Sequence, residues 1–169
     1  METFEAIKTR ASIRKFLPHK MGKEEIEKIL DAGFSAPSAM NRRPYELLVN
    51  TDNEVYMNFV EEKPTCAIIK DSSLSILIIG DSNKNPTNEF MVEDCSCVAQ
   101  NMMLEATDLG YGSLWAGIKY DSPFQKKLVE FFSLPDGLIP VALIAIGKPG
   151  ERKRQPKRYD PKKVHFKKY

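Results

Sequence analysis

Leu74-Ser75-Ile76-Leu77-Ile78-Ile79-Gly80 is apolar at almost every position. A strand with one wet face alternates polar and apolar residues. An unbroken run therefore reads as a strand covered on both faces, central in its sheet. Downstream, Asn88 to Leu109 has the spacing of the longest helix, with Gly110 placed as its C-terminal cap. Along it Cys95, Val98, Met102 and Ala106 make one apolar stripe, and Phe90, Cys97 and Leu104 make a second. Two rows imply burial on more than one side, in the core or at a subunit interface.

Outward from this pair, Tyr45 to Val49 and Ser113 to Ala116 read as strands, and Pro140 to Ile146 as a second buried one. Phe4 and Ile7 point to a short opening helix ending near Thr9 and Arg10. Gly22 to Phe34 forms another, with Ile26, Ile29, Leu30 and Phe34 on one face. Ser122-Pro123-Phe124-Gln125 is a helix start with a capping serine, proline in the first turn and glutamine three on, and that helix ends by Leu134-Pro135. Residues 53–71 read as one short helix and a connection. Helices and strands are mixed without the regular alternation of a doubly wound sheet, so the class is α/β in content.

The 169 residues, 42% hydrophobic, fit one domain spanning 1–169. The three cysteines and the acidic opening Met1-Glu2-Thr3-Phe4-Glu5 lead to the expectation of a soluble, cytoplasmic chain. The longest apolar runs are too short to span a bilayer. The net charge of +2 hides an asymmetry. Residues 148–169 form a basic extension with ten Lys and Arg against Glu151 and Asp160, a net +8. The remainder holds 15 basic and 21 acidic residues, a net −6.

Gly110-Tyr111-Gly112 follows a helix and lacks a third glycine, so it is a cap and turn, not a dinucleotide fingerprint. Cys95 and Cys97, two apart in a helix, read as packed thiols and not as a ligand pair. His19 and His165 have no acidic partner that spacing can assign. Asp94 reads as a capping or core-edge polar group. No metal set is expected, and no side chain stands out as a catalytic acid, base or nucleophile.

Four segments have unusual polarity for their place. If the chain is extended after Arg10, then Arg10, Ser12 and Arg14 project to one side. Two guanidiniums about a hydroxyl suit an anion such as a phosphate ester with a polar chain; an ordinary basic surface strand is the alternative. Pro37-Ser38-Ala39-Met40-Asn41-Arg42-Arg43, ahead of Pro44, reads as a rigid turn that lets backbone approach a flat ligand. Leu109 to Gly117 holds the only tryptophan, Trp115, between glycines and could present main-chain N–H groups to a ring edge. Ile146-Gly147-Lys148-Pro149-Gly150 leads to Lys157 and Arg158 in the tail.

In this order and spacing the four segments resemble the nitroreductase family of flavoproteins, over nearly the whole chain. Arg10-Ala11-Ser12-Ile13-Arg14-Lys15-Phe16 looks like its Arg-Arg-Ser-x-Arg-x-Phe signature. Ala36-Pro37-Ser38-Ala39-Met40-Asn41-Arg42-Arg43-Pro44-Tyr45 looks like its Ala-Pro-Ser-x-x-Asn-x-Gln-Pro-Trp loop. Asp94-x5-Gln100-Asn101 followed by Leu109 to Gly117 is similar to its central helix and turn.

The resemblance implies a mainly antiparallel central sheet flanked by helices, and a homodimer with FMN at the interface. It also implies a tail extending onto the partner subunit. Residue by residue, Arg10, Ala11 and Ser12 would hold the phosphate and ribityl region, joined by Arg158 or Lys157. Arg14 would lie near the N1/O2 side of the ring. Pro37, Ser38, Ala39 and Asn41 would come from the other subunit, and Trp115, Ala116 and Gly117 would lie at the N5/O4 edge. Ala11, Arg43 and Tyr45 depart from the family pattern, and residues between Val49 and Leu74 lack a match to the flavin contacts of larger relatives. NADH or NADPH is the implied reductant, and a nitroaromatic or quinone the implied acceptor, in a two-step ping-pong reaction.

Two other readings compete. The fold could serve flavin storage, flavin modification or dehalogenation. The +8 tail could bind nucleic acid or an acidic membrane; its three prolines, Pro149, Pro156 and Pro161, its few aromatics and the acidic body argue against that. The expectation is therefore neither a nucleic-acid partner nor a membrane.

Overall fold

The computed structural model describes residues 1–84, 87 and 89–168. The helices are α1 (Thr3–Thr9), α2 (Lys23–Phe34), α3 (Cys66–Ile69), α4 (Met91–Asp108) and α5 (Pro123–Phe131). The strands are β1 (Phe16–Leu17), β2 (Tyr45–Asn50), β3 (Leu74–Asp81), β4 (Gly112–Gly117) and β5 (Leu138–Pro149). The sheet runs β1-β5-β3-β2, with β4 also paired to β5, and every strand pairing is antiparallel.

β3 and β5 separate two apolar layers by side-chain alternation. Leu74, Ile76 and Ile78 of β3, with Ala142, Ile144 and Ile146 of β5, face α2 and α4. Leu77 and Ile79, with Leu143 and Ala145, face the other side, where Tyr56, Phe59, Ile69, Phe124 and Leu128 pack. This is why the Leu74 run is apolar at both parities. Pro140 cannot donate to a ladder, and the sheet registers an irregularity beside it: Ile78 pairs with Ala142 but Ile79 with Pro140, leaving Val141 as an extra residue. The Pro140 carbonyl accepts a bond from Gln125 Nε2 at 2.7 Å.

α4 ends as expected. Gly110 takes φ +82°, its N–H reaches Thr107 O at 3.0 Å, and Tyr111 N–H reaches Ala106 O at 2.7 Å. These paired bonds satisfy carbonyls that the last helical turn leaves free. The expected helix start at Asn88 lies outside the described residues; Met91 is the first helical residue, and the residue before it, Phe90, is left-handed at φ 62°.

Of the second apolar row of α4, Cys97 and Leu104 are half-buried, and only Phe90, with the neighbouring Val92, is left open. Phe90 is 53% exposed and Val92 57%, whereas Cys95, Val98, Met102 and Ala106 are fully buried. Residues 53–71 hold two helical pieces where one was expected, a 3₁₀ helix at Glu54–Phe59 and α3. Tyr56 and Phe59 of the first and Cys66 and Ile69 of the second pack in the second layer. No strand forms directly after Arg10: only a bridge joins Ser12 to Ser113, with Ile13 N–H on Ser113 O at 2.9 Å, and pairing resumes at Phe16. The segment is pinned by tertiary bonds in place of a ladder.

The proximal tail turns back on the same chain. Glu151 Oε1 accepts from Arg14 N at 2.5 Å, Lys153 Nζ donates to Ser12 O at 2.9 Å, and Gln155 Nε2 donates to Arg10 O. Residues 151–155 are thereby held alongside 10–14.

Candidate functional site

Three separated segments meet around Arg10, at the end of α1. A cavity of about 280 Å³ is lined by Ile7, Lys8, Arg10, Gln100, Gln155, Pro156 and Arg158. α1 delivers Arg10, α4 delivers Gln100, and the folded-back tail delivers Gln155 and Arg158. Arg158 is held by donation from Nη2 to Gln155 Oε1 at 2.5 Å. Burial lowers the pKa of the Arg10 guanidinium, and the nearby Arg158 charge lowers it further. None of the ion pairs found among the described residues involves either guanidinium. Two like charges converging on a cavity with no carboxylate between them form a receptor for an anion, and the bidentate forks of arginine suit a phosphate.

Ser12 is half-buried and is not among the residues that line this cavity; its carbonyl is held by Lys153. Arg14 is exposed, with its guanidinium 3.5 Å from Ser12 O. Ala11 lines a second cavity of about 280 Å³ that also touches Arg10, on the side of Gly112 and Lys153. Lys157 is exposed and does not line the Arg10 cavity, whereas Arg158 does.

Across the bridge from Ser12, Ser113 is 1% exposed and its hydroxyl has no hydrogen-bond partner among the described residues, an orphaned polar group near the start of β4. Trp115 is half-buried and Ala116 buried, while Gly117 is exposed with open space where a Cβ would stand. A flat ring could approach the backbone there without a side chain in the way.

The Pro37 loop sits apart from the Arg10 cavity in this chain. Met40, Asn41 and Arg43 all have positive φ, so the turn is strained and must be held from outside. Ala39 N–H donates to Asp94 Oδ1 at 2.9 Å, Arg43 N–H donates to Ser38 Oγ at 3.0 Å, and Arg43 Nε donates to Asn41 Oδ1 at 3.0 Å. Asp94, read from sequence as a cap or core-edge group, is 5% exposed and ties the loop to α4. Arg43 braces the loop internally. Pro37 itself is exposed. Tyr45 is buried beneath the loop, 6.1 Å from the Phe34 ring.

His19 gains a connection that spacing did not reveal. Its Nε2 lies 3.1 Å from Tyr111 Oη, which donates to Glu25 Oε1 at 2.7 Å. Burial and then the Glu25 bond push Tyr111 up to about 12, and the same bond holds Glu25 below the usual carboxylate range. The chain of bonds ties the turn before α2 to the turn before β4. Cys66 and Cys95 are free, buried and pushed up to about 12 by burial, which makes them inert packing groups. Among the described residues no group of three His, Cys, Asp or Glu could hold a metal ion, and no helix is long and apolar enough to cross a membrane.

Gln100 and Gln155 were not singled out by polarity; Gln100 was visible only inside the helix resemblance, and Gln155 carried no signal.

A family model described as "Nitroreductase family" matches residues 7–63 and 51–148, which includes Arg10, the Pro37 loop, α4 and β4. The chain belongs to the nitroreductase family. A relative of this nitroreductase-family chain in Methanothermobacter thermautotrophicus is 36% identical over 169 residues, covering 100% of this chain and 88% of that one. Its name gives NADH dehydrogenase/NAD(P)H nitroreductase as a provisional function. An FMN-dependent nitroreductase structure from Clostridium difficile superposes with a TM-score of 0.87 at 31% identity, covering 98% of this chain and 99% of that one. An NADPH-dependent oxidoreductase of Staphylococcus epidermidis is 25% identical over 165 residues, 88% of this chain and 65% of that protein. The nitroreductase fold, with mixed helices and an antiparallel sheet, is thus established, and the chain is an oxidoreductase of that family. The expected FMN and NAD(P)H agree with what these relatives are named for.

Proposed function

We propose that the chain is an FMN-dependent NAD(P)H oxidoreductase that passes hydride to a nitroaromatic or quinone in two steps, the nicotinamide leaving before the acceptor enters. The observation that carries this reading is the Arg10–Arg158 cavity, built from α1 and the tail, which fits a phosphate monoester. The bare backbone at Gly117 leaves room for a flat ring.

Bound FMN supplies the redox chemistry, taking up a hydride equivalent and giving it to the acceptor. The chain's residues supply binding and charge. Arg10, Ser12 and Arg158 (with Lys157 as alternative cation) hold the phosphate and ribityl chain. Arg14, fixed at its N–H by Glu151, offers a cation to the N1/O2 side, where negative charge accumulates on reduction. Main chain at Ala116 and Gly117 faces the N5/O4 edge. Pro37, Ser38, Ala39 and Asn41 reach the flavin of a second copy. Self-association is supported by apolar side chains that this chain leaves uncovered: Phe4 on α1, and Phe90 and Val92 at the start of α4. In that dimer the distal tail, residues 159–168, extends onto the partner subunit, and the protein works in the cytoplasm.

The test is a visible spectrum of purified protein. A yellow protein bleached by anaerobic NADH or NADPH, and recoloured by a quinone such as menadione, is the expected result. A colourless protein that takes up no added FMN would sink the proposal.

A further inference from the structure

A third cavity, of about 320 Å³, opens beside Gly117, at the far end of β4 from Ser113. Glu62, Lys63, Lys119 and Phe124 are among the residues that line it. Phe124 is buried and packs edge-on against Phe59, with ring centroids 5.9 Å apart, so it offers an apolar wall. Charge on the remaining wall is unbalanced. Glu62 Oε1 is taken by Lys127 Nζ at 2.9 Å, a bond that also holds Glu62 below the usual carboxylate range, and these two charges cancel. Lys126, just outside, is paired with Asp121 at 2.8 Å. Lys63 and Lys119 remain.

Lys63 Nζ donates to Gly117 O at 2.7 Å, which fixes the ammonium at the backbone carbonyl of the exposed glycine. An ammonium has three donors, so two stay available to a second acceptor. Lys119 stands two residues further along and is exposed. The cavity therefore combines an aromatic wall with a net positive rim.

We propose that this cavity is the acceptor's subsite, and that Lys63 and Lys119 select acceptors bearing a carboxylate or similar anionic group on an aromatic ring. The inference rests on the reading that puts the flavin's N5/O4 edge at Gly117. The anionic group lies toward the two ammoniums, beside Gly117, and the ring toward Phe124. Neutral acceptors of the same shape enter but are held less well.

The experiment compares 4-nitrobenzoate with its neutral analogue 4-nitrobenzamide as acceptors, measuring kcat/KM by nicotinamide oxidation in the wild type, K63Q, K119Q and K119E. The wild type should prefer the benzoate, and each Gln variant should lower the benzoate-to-amide ratio by about three- to fivefold, the range for one partly exposed charge. K119E should lower it further, and 0.5 M salt should compress the wild-type ratio. Perturbation of the flavin's visible band by benzoate and benzamide reads the same preference in binding alone. An unchanged ratio in FMN-loaded protein that still turns over the amide overturns the subsite while leaving the flavin reading intact. Protein that binds no FMN overturns the flavin reading and the subsite with it. Lys119 is exposed, so K119Q and K119E test the idea even where K63Q disturbs the Gly117 carbonyl.

Discussion

At the residue scale, Arg10 and Arg158 act as a pair. Each guanidinium raises the free energy of the other in an empty cavity, and an anion between them reverses that sign. Arg10→Ala and Arg158→Ala should therefore each weaken FMN binding about 10- to 100-fold, the range for losing a hydrogen bond to a charged group. Titration of apoprotein followed by flavin fluorescence measures this, and unchanged dissociation constants in both variants would remove the phosphate assignment. Lys157→Ala, which alters an exposed side chain outside the cavity, should change the constant much less. Arg10 stood out in sequence because two arginines flank a serine there, a pattern that an ordinary basic surface strand also shows. Gln155 did not: a glutamine between prolines and cations carries no signal until the tail folds back and its amide meets the Arg10 carbonyl. Asp94 reads as a cap or core-edge group, but its partner was not legible, because a carboxylate near a helix start satisfies capping rules whether or not it reaches a loop 55 residues away.

At the element scale, the two glycines between α4 and β4 do different things, and substitution should separate them. Gly110 holds φ +82° with open space around a would-be Cβ, so Gly110→Ala meets only backbone strain. It should cost about 1 kcal/mol and lower Tm by about 2–4 °C with flavin affinity unchanged. Gly112 has no such dihedral, but a Cβ there would stand 2.6 Å from Ile13 Cγ1. Gly112→Ala should push Ile13 away and shift the Arg10–Ser12 segment that Ile13 anchors on Ser113. A larger Tm loss together with weaker FMN binding is the expected result, read by thermal melts and the same titration. Equal effects of the two substitutions would contradict this division. Helices and strands themselves were readable because their periods are local. The segment after Arg10 was not, since a single bridge and a buried isoleucine leave no period to detect. The two pieces at Glu54–Phe59 and Cys66–Ile69 have no separate signal in the sequence because short 3₁₀ and helical turns have too few residues to show a period.

At the scale of the whole molecule, the tail and a set of carboxylates close the fold. Truncation after Gly150 removes the Glu151, Lys153 and Gln155 bonds to residues 10–14 together with Arg158. It should abolish FMN retention and weaken the dimer, as read by absorbance and light scattering; retention of both would refute a structural role for the tail. Glu25, Glu62 and Glu151 all have lowered pKa values, caused first by bonds from Tyr111, Lys127 and the Arg14 N–H respectively. Their folded values lie below the unfolded ones, so their stabilisation is present above the ordinary glutamate range and fades as pH falls through the lowered values. Urea midpoints should drop from pH 5 toward pH 3, and Glu151→Gln should flatten that slope; an unaltered slope would exclude Glu151 as a contributor. Composition and periodicity by themselves determined a mixed fold with a doubly covered central strand, one long helix and an acidic body with a basic tail, because burial patterns repeat along a strand or helix. The ordered motifs added the family. Only the tertiary structure decided that the tail returns to Arg10, that Asp94 holds the Pro37 loop and that Lys63 reaches the Gly117 carbonyl. Those contacts join residues far apart in the chain, and such pairings depend on where the sheet and helices place them in space.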